Sequence, residues 1–491
     1  MKYLSTRGGE AVSAAQAIVR GICPTGGLYV PASFPTVDIT TLIPLADNYC
    51  AIAERVMALY LPEMKREKLA DNIKAAYASF DAQDVVPLHA LTEHETVMEL
   101  WHGPTMAFKD IALQMLPYLM RDSLDTTGEK KDVYILVATS GDTGKAALAG
   151  FCDVPGTRVL VFYPEGGVSE AQRLQMVTQR GDNVDVCAVR GNFDDAQTGV
   201  KQIFSSQDVA DCLGTLGYRL SSANSINFGR LLPQIVYYFS SYAKLVAKGQ
   251  VQCGEKINFC VPTGNFGDIL AGYYAMRMGL PVNKLICASN RNNVLSDFFQ
   301  SGVYNDQRPF FKSMSCSIDI LISSNLERLL YEVSGRNAEQ VAQWMMQLKT
   351  SGEYCIGEDT AAKLSEVFYA DWCTEEDTLD TIRKVWQEKQ YLMDPHTAVA
   401  QTVYERYAQK TGDTATTVLL STANPYKFAT HVLSALQTAD NNDFANVARL
   451  YERTAAPIPK GISELSCLPE RHLDVCALDD MQRRVISGVQ K

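Results

Sequence analysis

An α/β fold built on open parallel sheets is what this sequence predicts, and three observations predict it. From about residue 130, short apolar runs of β type alternate with stretches of helical spacing, the pattern of parallel βαβ units. Polar, glycine-rich segments follow three such runs, after Ala138, Val261 and Leu420, where ligands bind in folds of this kind. The chain has 491 residues, 46% hydrophobic and 21% charged, enough to bury a sizeable core without disulfide staples.

At roughly 100–200 residues per domain, the length allows about three domains, or two with insertions. Residues 1–95 read as an N-terminal mixed domain. Pro24, Gly26, Gly27, Pro31 and Pro35 punctuate its first part, and apolar positions at helical spacing follow over 46–80, such as Ile52, Val56, Leu59 and Tyr60. Residues 96–225 read as a smaller α/β domain. A helical run starts near Met106. Strands are expected at Val133–Ala138, Val159–Tyr163 and Val184–Val189, each leading into a helical stretch, the last starting near Asp194. Residues 226–440 read as a larger α/β domain, with strands at Ile257–Val261, Lys284–Ala288 and Thr416–Leu420. Within it, residues about 292–390 are richer in charge and helical spacing, as in Glu339–Lys349 and Thr381–Lys389, and read as a helical insertion. Residues 441–491 read as a tail packing on the body.

Charge and composition exclude several functions. Lysine and arginine number 45 against 56 acidic residues, a net charge of −11, so nucleic acid and anionic membrane surfaces are poor partners. The 13 cysteines are scattered, with no CxxC pair, which fits reduced thiols in a cytoplasmic protein. The opening MKYLSTRGGEAV lacks the apolar core of a signal peptide, and runs such as Val133–Ala138 are far too short to span a membrane. The six histidines show no metal-ligand spacing, and neither HExxH nor GxSxG occurs. No metal is expected, and isolated histidines such as His396 read as structural.

Five segments remain that could carry chemistry. ATSGDTGK (138–145) fails the dinucleotide fingerprint and the P-loop on spacing. It still presents hydroxyls and amides at a helix N-terminus, suited to a carboxylate or phosphate; an ordinary capped turn accounts for it equally. PTGNFGD (262–268) has glycines three apart, which expose successive amides, either as a phosphate cradle or as a plain turn. In WHGPTMAFKD (101–110), Lys109 occupies a first helical turn, where its charge is unfavourable. A desolvated amine there would lose basicity and could form a Schiff base; a solvated surface lysine is the plain alternative. SSANSINFGR (221–230) offers a forked arginine among amides, suited to a phosphate monoester or to a polar loop and helix cap. STANPYKF (421–428) follows a strand and places hydroxyls where a heterocycle nitrogen could meet them, or closes a turn at Pro425.

HGPTMAFKD, ATSGDTG, PTGNFGDILAGYY and STANPYKF, with the opening KYLSTRG and the later GGLYVP, together resemble the threonine synthase family in its long microbial and fungal form. The motifs run in the family's order from the first residues to STANPYKF, with a vaguer match at the tail. The resemblance implies a pyridoxal-phosphate enzyme of the tryptophan-synthase-β fold type, fold type II, with two open parallel-sheet domains. It implies conversion of O-phospho-L-homoserine and water to L-threonine and phosphate, by γ-elimination and β-addition of water, in the last step of threonine biosynthesis. By motif, Lys109 would hold the cofactor covalently. Gly264, Asn265, Phe266, Gly267 and Asp268 would cradle its phosphate, and Thr422 would face its pyridine nitrogen. Asp142, where many members of the fold type carry asparagine, would lie at its O3′ edge. Ser140, Gly141 and Thr143 would surround the substrate carboxylate, and Asn224, Ser225, Asn227 and Arg230 would bind the substrate phosphate. The long-form resemblance also implies a monomer. Two alternatives share the scaffold: a lyase that eliminates phosphate and releases 2-oxobutyrate and ammonia, and a non-catalytic protein that keeps the fold. The intact Lys109, both glycine loops and Thr422 speak against the second.

Overall fold

The computed structural model describes residues 1–139, 141–440 and 442–490, the side chain of Asp194 excepted. Two parallel sheets organise it. The smaller has five strands in the order Asp474–Ala477, Val184–Arg190, Thr157–Pro164, Asp132–Ala138 and Tyr218–Ser221, all neighbours parallel. Its inner strands are continuous apolar runs because helices cover both faces; Val133, Ile135, Val159 and Val161 are fully buried. The larger has six strands in the order Phe368–Trp372, Val282–Ser289, Ile257–Pro262, Thr417–Ser421, Glu95–Glu99 and Leu88–Ala90. All its neighbours run parallel except the last pair, which is antiparallel.

Sheet membership cuts across the divisions expected from the sequence. The strand Glu95–Glu99 pairs with Thr417–Ser421, so the chain just past residue 95 builds the larger sheet rather than the smaller. Phe368–Trp372, inside the stretch read as a helical insertion, pairs in parallel with Val282–Ser289 and forms an edge of that sheet. Asp474–Ala477, from the tail, becomes an edge strand of the smaller sheet beside Val184–Arg190. The remainder of 292–390 is largely helical, at Val294–Ser301, Leu326–Val333, Ala338–Ser351, Glu358–Val367 and Glu375–Lys389.

The N-terminal part forms a three-stranded antiparallel sheet, Val12–Ser13, Lys2–Ser5 and Tyr29–Pro31, followed by helices at Tyr49–Tyr60 and Arg66–Tyr77. It packs against the long helix Phe228–Ala247, whose first eighteen residues are all buried. That helix also meets Gly267–Arg277 and the short helix Lys109–Leu113, so the N-terminal block braces both of these helices from behind. No helix among the described residues is long and apolar enough to cross a membrane. The carboxyl ends of the two sheets face each other: Asp142, just past Asp132–Ala138, pairs with Lys427, just past Thr417–Ser421, at 2.6 Å.

Candidate active site

Lys109 is the first residue of the helix Lys109–Leu113. Two sets of contacts fix it. Thr105 donates its backbone N–H and its hydroxyl to the buried Asp110 carboxylate, at 2.8 and 2.7 Å, folding the Gly103–Pro104 turn onto the helix start. The preceding residues are then stitched to the segment after Thr417–Ser421. Phe108 N–H donates to the Thr422 carbonyl at 2.8 Å, Asn424 N–H donates to the Met106 carbonyl at 3.1 Å, and Ala107 bridges Ala423. Residues more than 300 positions apart are thereby neighbours, with Lys109 beside the buried Thr422.

The Lys109 side chain is 13% exposed, and its Nζ lies 3.8 Å from Asp142 Oδ2. Burial pushes the ammonium below its ordinary pKa. Asp142 pulls it back up, while Lys427 and Arg230 push it further down. An amine of lowered basicity is what nucleophilic attack on a carbonyl needs. For Asp142, burial alone would favour the neutral acid, but Lys427 and Lys109 outweigh it and hold the carboxyl well below the usual carboxylate range. Lys427 is itself anchored, donating to the Thr105 carbonyl at 2.9 Å. A carboxylate between two lysines joins the ends of both sheets. Gly141, Asp142 and Thr143 stand where the sequence puts them, at the start of the helix Asp142–Phe151; Ser140 lies outside the described residues.

The loop 262–268 runs from the strand Ile257–Pro262 into the helix Gly267–Arg277. Phe266 takes a left-handed backbone, φ 64°, and its ring packs on Phe299 and Phe368, so only its backbone faces the loop. A Cβ on Gly264 would lie 2.9 Å from the Ser317 carbonyl oxygen, so no side chain fits there. At Gly267 the nearest atoms to a Cβ position are the amide nitrogens of Asn325 and Gln234, both at 3.7 Å. That is a small space lined by donors at the start of an eleven-residue helix, which suits a phosphate. Asn265 is exposed, and its carbonyl accepts from Asn325 N–H and Nδ2 at 3.1 and 3.0 Å. Burial pushes Asp268 up to about 6, with the Ile269 N–H and Lys109 opposing. The donor-lined space at Gly267, the low-basicity amine of Lys109 and the Thr422 wall fit the three ends of pyridoxal phosphate.

The segment 222–230 divides. Arg230, in the first turn of Phe228–Ala247, is buried, and burial pushes its guanidinium down to about 10. Its Nη1 donates to the Ala223 carbonyl at 2.7 Å, while Nε has no partner among the described residues. Asn224 is exposed, and its Oδ1 accepts from Ser225 Oγ at 3.2 Å. Asn227 is committed elsewhere. It caps the helix by accepting from Gly229 N–H at 2.9 Å and donates to the Ile18 carbonyl at 2.9 Å, so both ends of its amide are occupied. Lys145, the last residue of ATSGDTGK, donates to Gln179 at 2.6 Å, and burial pushes it down to about 8.

Sequence reasoning missed several residues of this neighbourhood. Ser317, Asn325 and Arg328 come from a stretch with no glycine or strand signal; Arg328 is fully buried and ties Asn325 to the carbonyls of Tyr29 and Ile226. His396, an isolated histidine in sequence, is buried between Asp394 and the backbone of Ser317. Among the described residues no cluster of three His, Cys, Asp or Glu could hold a metal.

Three family models match in succession: "Threonine synthase N terminus" over residues 2–77, "Pyridoxal-phosphate dependent enzyme" over 84–371, and "Threonine synthase, C-terminal" over 397–484. The threonine synthase of Saccharomyces cerevisiae is 37% identical over 472 residues, covering 90% of each chain. The human protein named threonine synthase-like 1 is 36% identical over 481 residues, 94% of this chain; the chain spans 64% of that relative's length. The crystal structure of PLP-bound threonine synthase from Brucella melitensis superposes with a TM-score of 0.89 at 36% identity over the whole of both chains. Two parallel-sheet units meeting at a buried lysine, the three models in order and these whole-length likenesses place the chain in the threonine synthase family of pyridoxal-phosphate dependent enzymes.

Proposed function

We propose that this chain converts O-phospho-L-homoserine and water to L-threonine and phosphate, with pyridoxal 5'-phosphate bound at Lys109. One observation carries the reading: a buried lysine of lowered basicity stands beside an Asp142–Lys427 ion pair and Thr422, with the amide-lined glycine loop 262–268 nearby. When bound, the cofactor supplies the electron sink for carbanion chemistry at the substrate's carbons. The chain supplies position and charge. Backbone amides of 264–268 would hold the cofactor phosphate, and Thr422 would face its ring nitrogen. Gly141 and Thr143 receive the substrate carboxylate at the helix start, and Ser140, expected to join them, lies outside the described residues. Arg230, with an unused Nε donor, binds the leaving phosphate together with Asn224 and Ser225, while Asn227 positions them by capping the helix. Lys109, once free, is the group that can take and return a proton, because burial lowers the basicity of its amine.

The local cations Lys109, Lys427 and Arg230 also offset the chain's net charge of −11, which would otherwise repel a phosphorylated amino acid. All thirteen cysteines are free thiols, which supports a reducing compartment such as the cytoplasm. A monomer, with each parallel sheet and its helices as one domain, is the assembly the family likeness supports.

The alternative reaction on the same scaffold is elimination of phosphate with release of 2-oxobutyrate and ammonia. Incubation with O-phospho-L-homoserine and pyridoxal phosphate, following threonine, 2-oxobutyrate and phosphate together, separates them. Threonine equal to phosphate supports the synthase. Phosphate matched by 2-oxobutyrate supports the lyase, and no phosphate release counts against both.

A further inference from the structure

Ser317 lies in a short 3-10 turn, Cys316–Ile318, and touches three parts of the site at once. Its hydroxyl donates to Asp142 Oδ2 at 3.3 Å, long for such a bond, as active-site contacts often are before substrate arrives. Its carbonyl oxygen is the atom that a Cβ on Gly264 would strike. Its backbone N–H donates to His396 Nε2 at 3.0 Å.

Two polar groups hold this turn in place. Asp394 caps the helix Pro395–Thr411, and its Oδ1 lies 2.7 Å from His396 Nδ1. Against burial, Asp394 and the Cys316 thiol pull the imidazole up, but Nε2 accepts the Ser317 N–H, which only the neutral ring can do, so the ring proton is assigned to Nδ1, directed at Asp394. The Thr397 hydroxyl sits between the Asp394 carboxylate and Ser421 Oγ, which also accepts from Trp101 Nε1 at 3.0 Å. This chain of bonds therefore reaches the residue next to Thr422. On the other side of the turn, the Asp319 carboxylate takes donors from Asn290, Asn292 and Ser313 at 2.6–2.9 Å, tying the loop to the end of Val282–Ser289.

We propose that Ser317 is a positioning residue: with Lys427 it fixes the carboxylate of Asp142 beside Lys109, and the Asp394–His396 pair holds Ser317 there. Lys427 occupies Oδ1 at 2.6 Å, and Ser317 occupies Oδ2, the oxygen that faces Lys109 at 3.8 Å. A carboxylate oxygen that already accepts a bond offers less to a neighbouring ammonium. Losing the hydroxyl leaves Oδ2 with Lys109 as its remaining donor, which favours the protonated nitrogen. The inference rests on reading Lys109 as the cofactor lysine.

The test is a pH titration of the visible absorbance of the holoenzyme, in wild type, Ser317→Ala and Ser317→Thr. Ser317→Ala is expected to raise the midpoint by about 0.5 unit or more, because Asp142 Oδ2, freed of the hydroxyl, attracts the Lys109 nitrogen more strongly. Ser317→Thr, which keeps the hydroxyl, returns it towards wild type. His396→Ala moves the midpoint in the same sense, and adding Ser317→Ala shifts it no further, since both act through one bond. An unmoved midpoint in Ser317→Ala overturns the proposal, and additive shifts overturn the part given to His396. If the wild type shows no visible band, the cofactor reading of Lys109 fails separately. Labelling of Lys109 by trinitrobenzenesulfonate against pH then reads the same amine: a raised midpoint in Ser317→Ala supports the proposal, and an identical profile overturns it.

Discussion

Lys109 shows how little a single residue says until its surroundings are known. In sequence it is one of 45 cationic residues. In the fold it loses water, sits beside the Asp142–Lys427 ion pair, and becomes less basic. Lys109→Ala is expected to abolish both turnover and the visible absorbance of the cofactor-loaded protein; retained turnover at even a few per cent of wild type counts against its role. Arg230→Ala is expected to lower kcat/KM for O-phospho-L-homoserine by about 100-fold, the scale of a lost charge-assisted bond, with cofactor affinity little changed. A fall in cofactor affinity alone would move Arg230 to the other ligand. His102 supplies a pH prediction. Burial alone would lower its pKa, but bonds to Asp81 and Glu99, each 2.8 Å, win and push it up to about 9. A raised pKa means the stabilisation is complete below about 6.5, the unfolded value, and lost as pH rises through about 9. The stability gap between wild type and His102→Gln is expected to be about 1–2 kcal/mol at pH 6, screening at the exposed Asp81 included, and to close by pH 10. Denaturant unfolding at the two pH values checks it.

Among elements, the contact between the helices Lys109–Leu113 and Asp142–Phe151 sets the distance from Lys109 to Asp142. Gly150 makes it possible: a Cβ there would come 2.0 Å from the Leu113 carbonyl oxygen. Backbone cannot step aside as a side chain can, so Gly150→Ala must push the two helices apart. A loss of about 2–3 kcal/mol in unfolding free energy is expected, on the scale of overpacked cores, together with a lowered affinity for pyridoxal phosphate. Unchanged stability would mean the helices separate freely and that their spacing is not imposed at this contact. The glycine was visible in the sequence, but the carbonyl it makes room for lies 37 positions earlier, and nothing local connects the two.

Over the whole molecule, the last residues are structural. Asp474–Ala477 covers the edge of Val184–Arg190, Met481 and Val485 are buried against the smaller sheet, and Arg173 clasps Glu470 at 2.7 Å. Removing residues 468–491 uncovers that edge and a patch of apolar core. The truncated chain is expected to lose solubility and to unfold at lower temperature, which centrifugation and a thermal melt check. A soluble truncation with an unchanged melting temperature would show that the smaller sheet stands without its fifth strand.

The sequence by itself determined the α/β class, the apolar inner strands of both sheets other than Glu95–Glu99 and the segments that build the site, because buried parallel strands are continuous apolar runs and ligand loops at their ends need glycine and small polar residues. Val133–Ala138, Ile257–Val261, ATSGDTGK and PTGNFGD were legible on those grounds alone. Only the tertiary structure decided the inner strand Glu95–Glu99 and the edge strands Phe368–Trp372 and Asp474–Ala477, which are short, mixed in character and paired with partners far along the chain. It also decided which polar residues serve the site. Asn227, expected there, is used up as a helix cap, whereas Ser317 and His396, with no local signal, are brought to it. Hydrophobic periodicity is written into neighbouring residues, but a polar side chain gains its role from the donors and charges that folding places beside it.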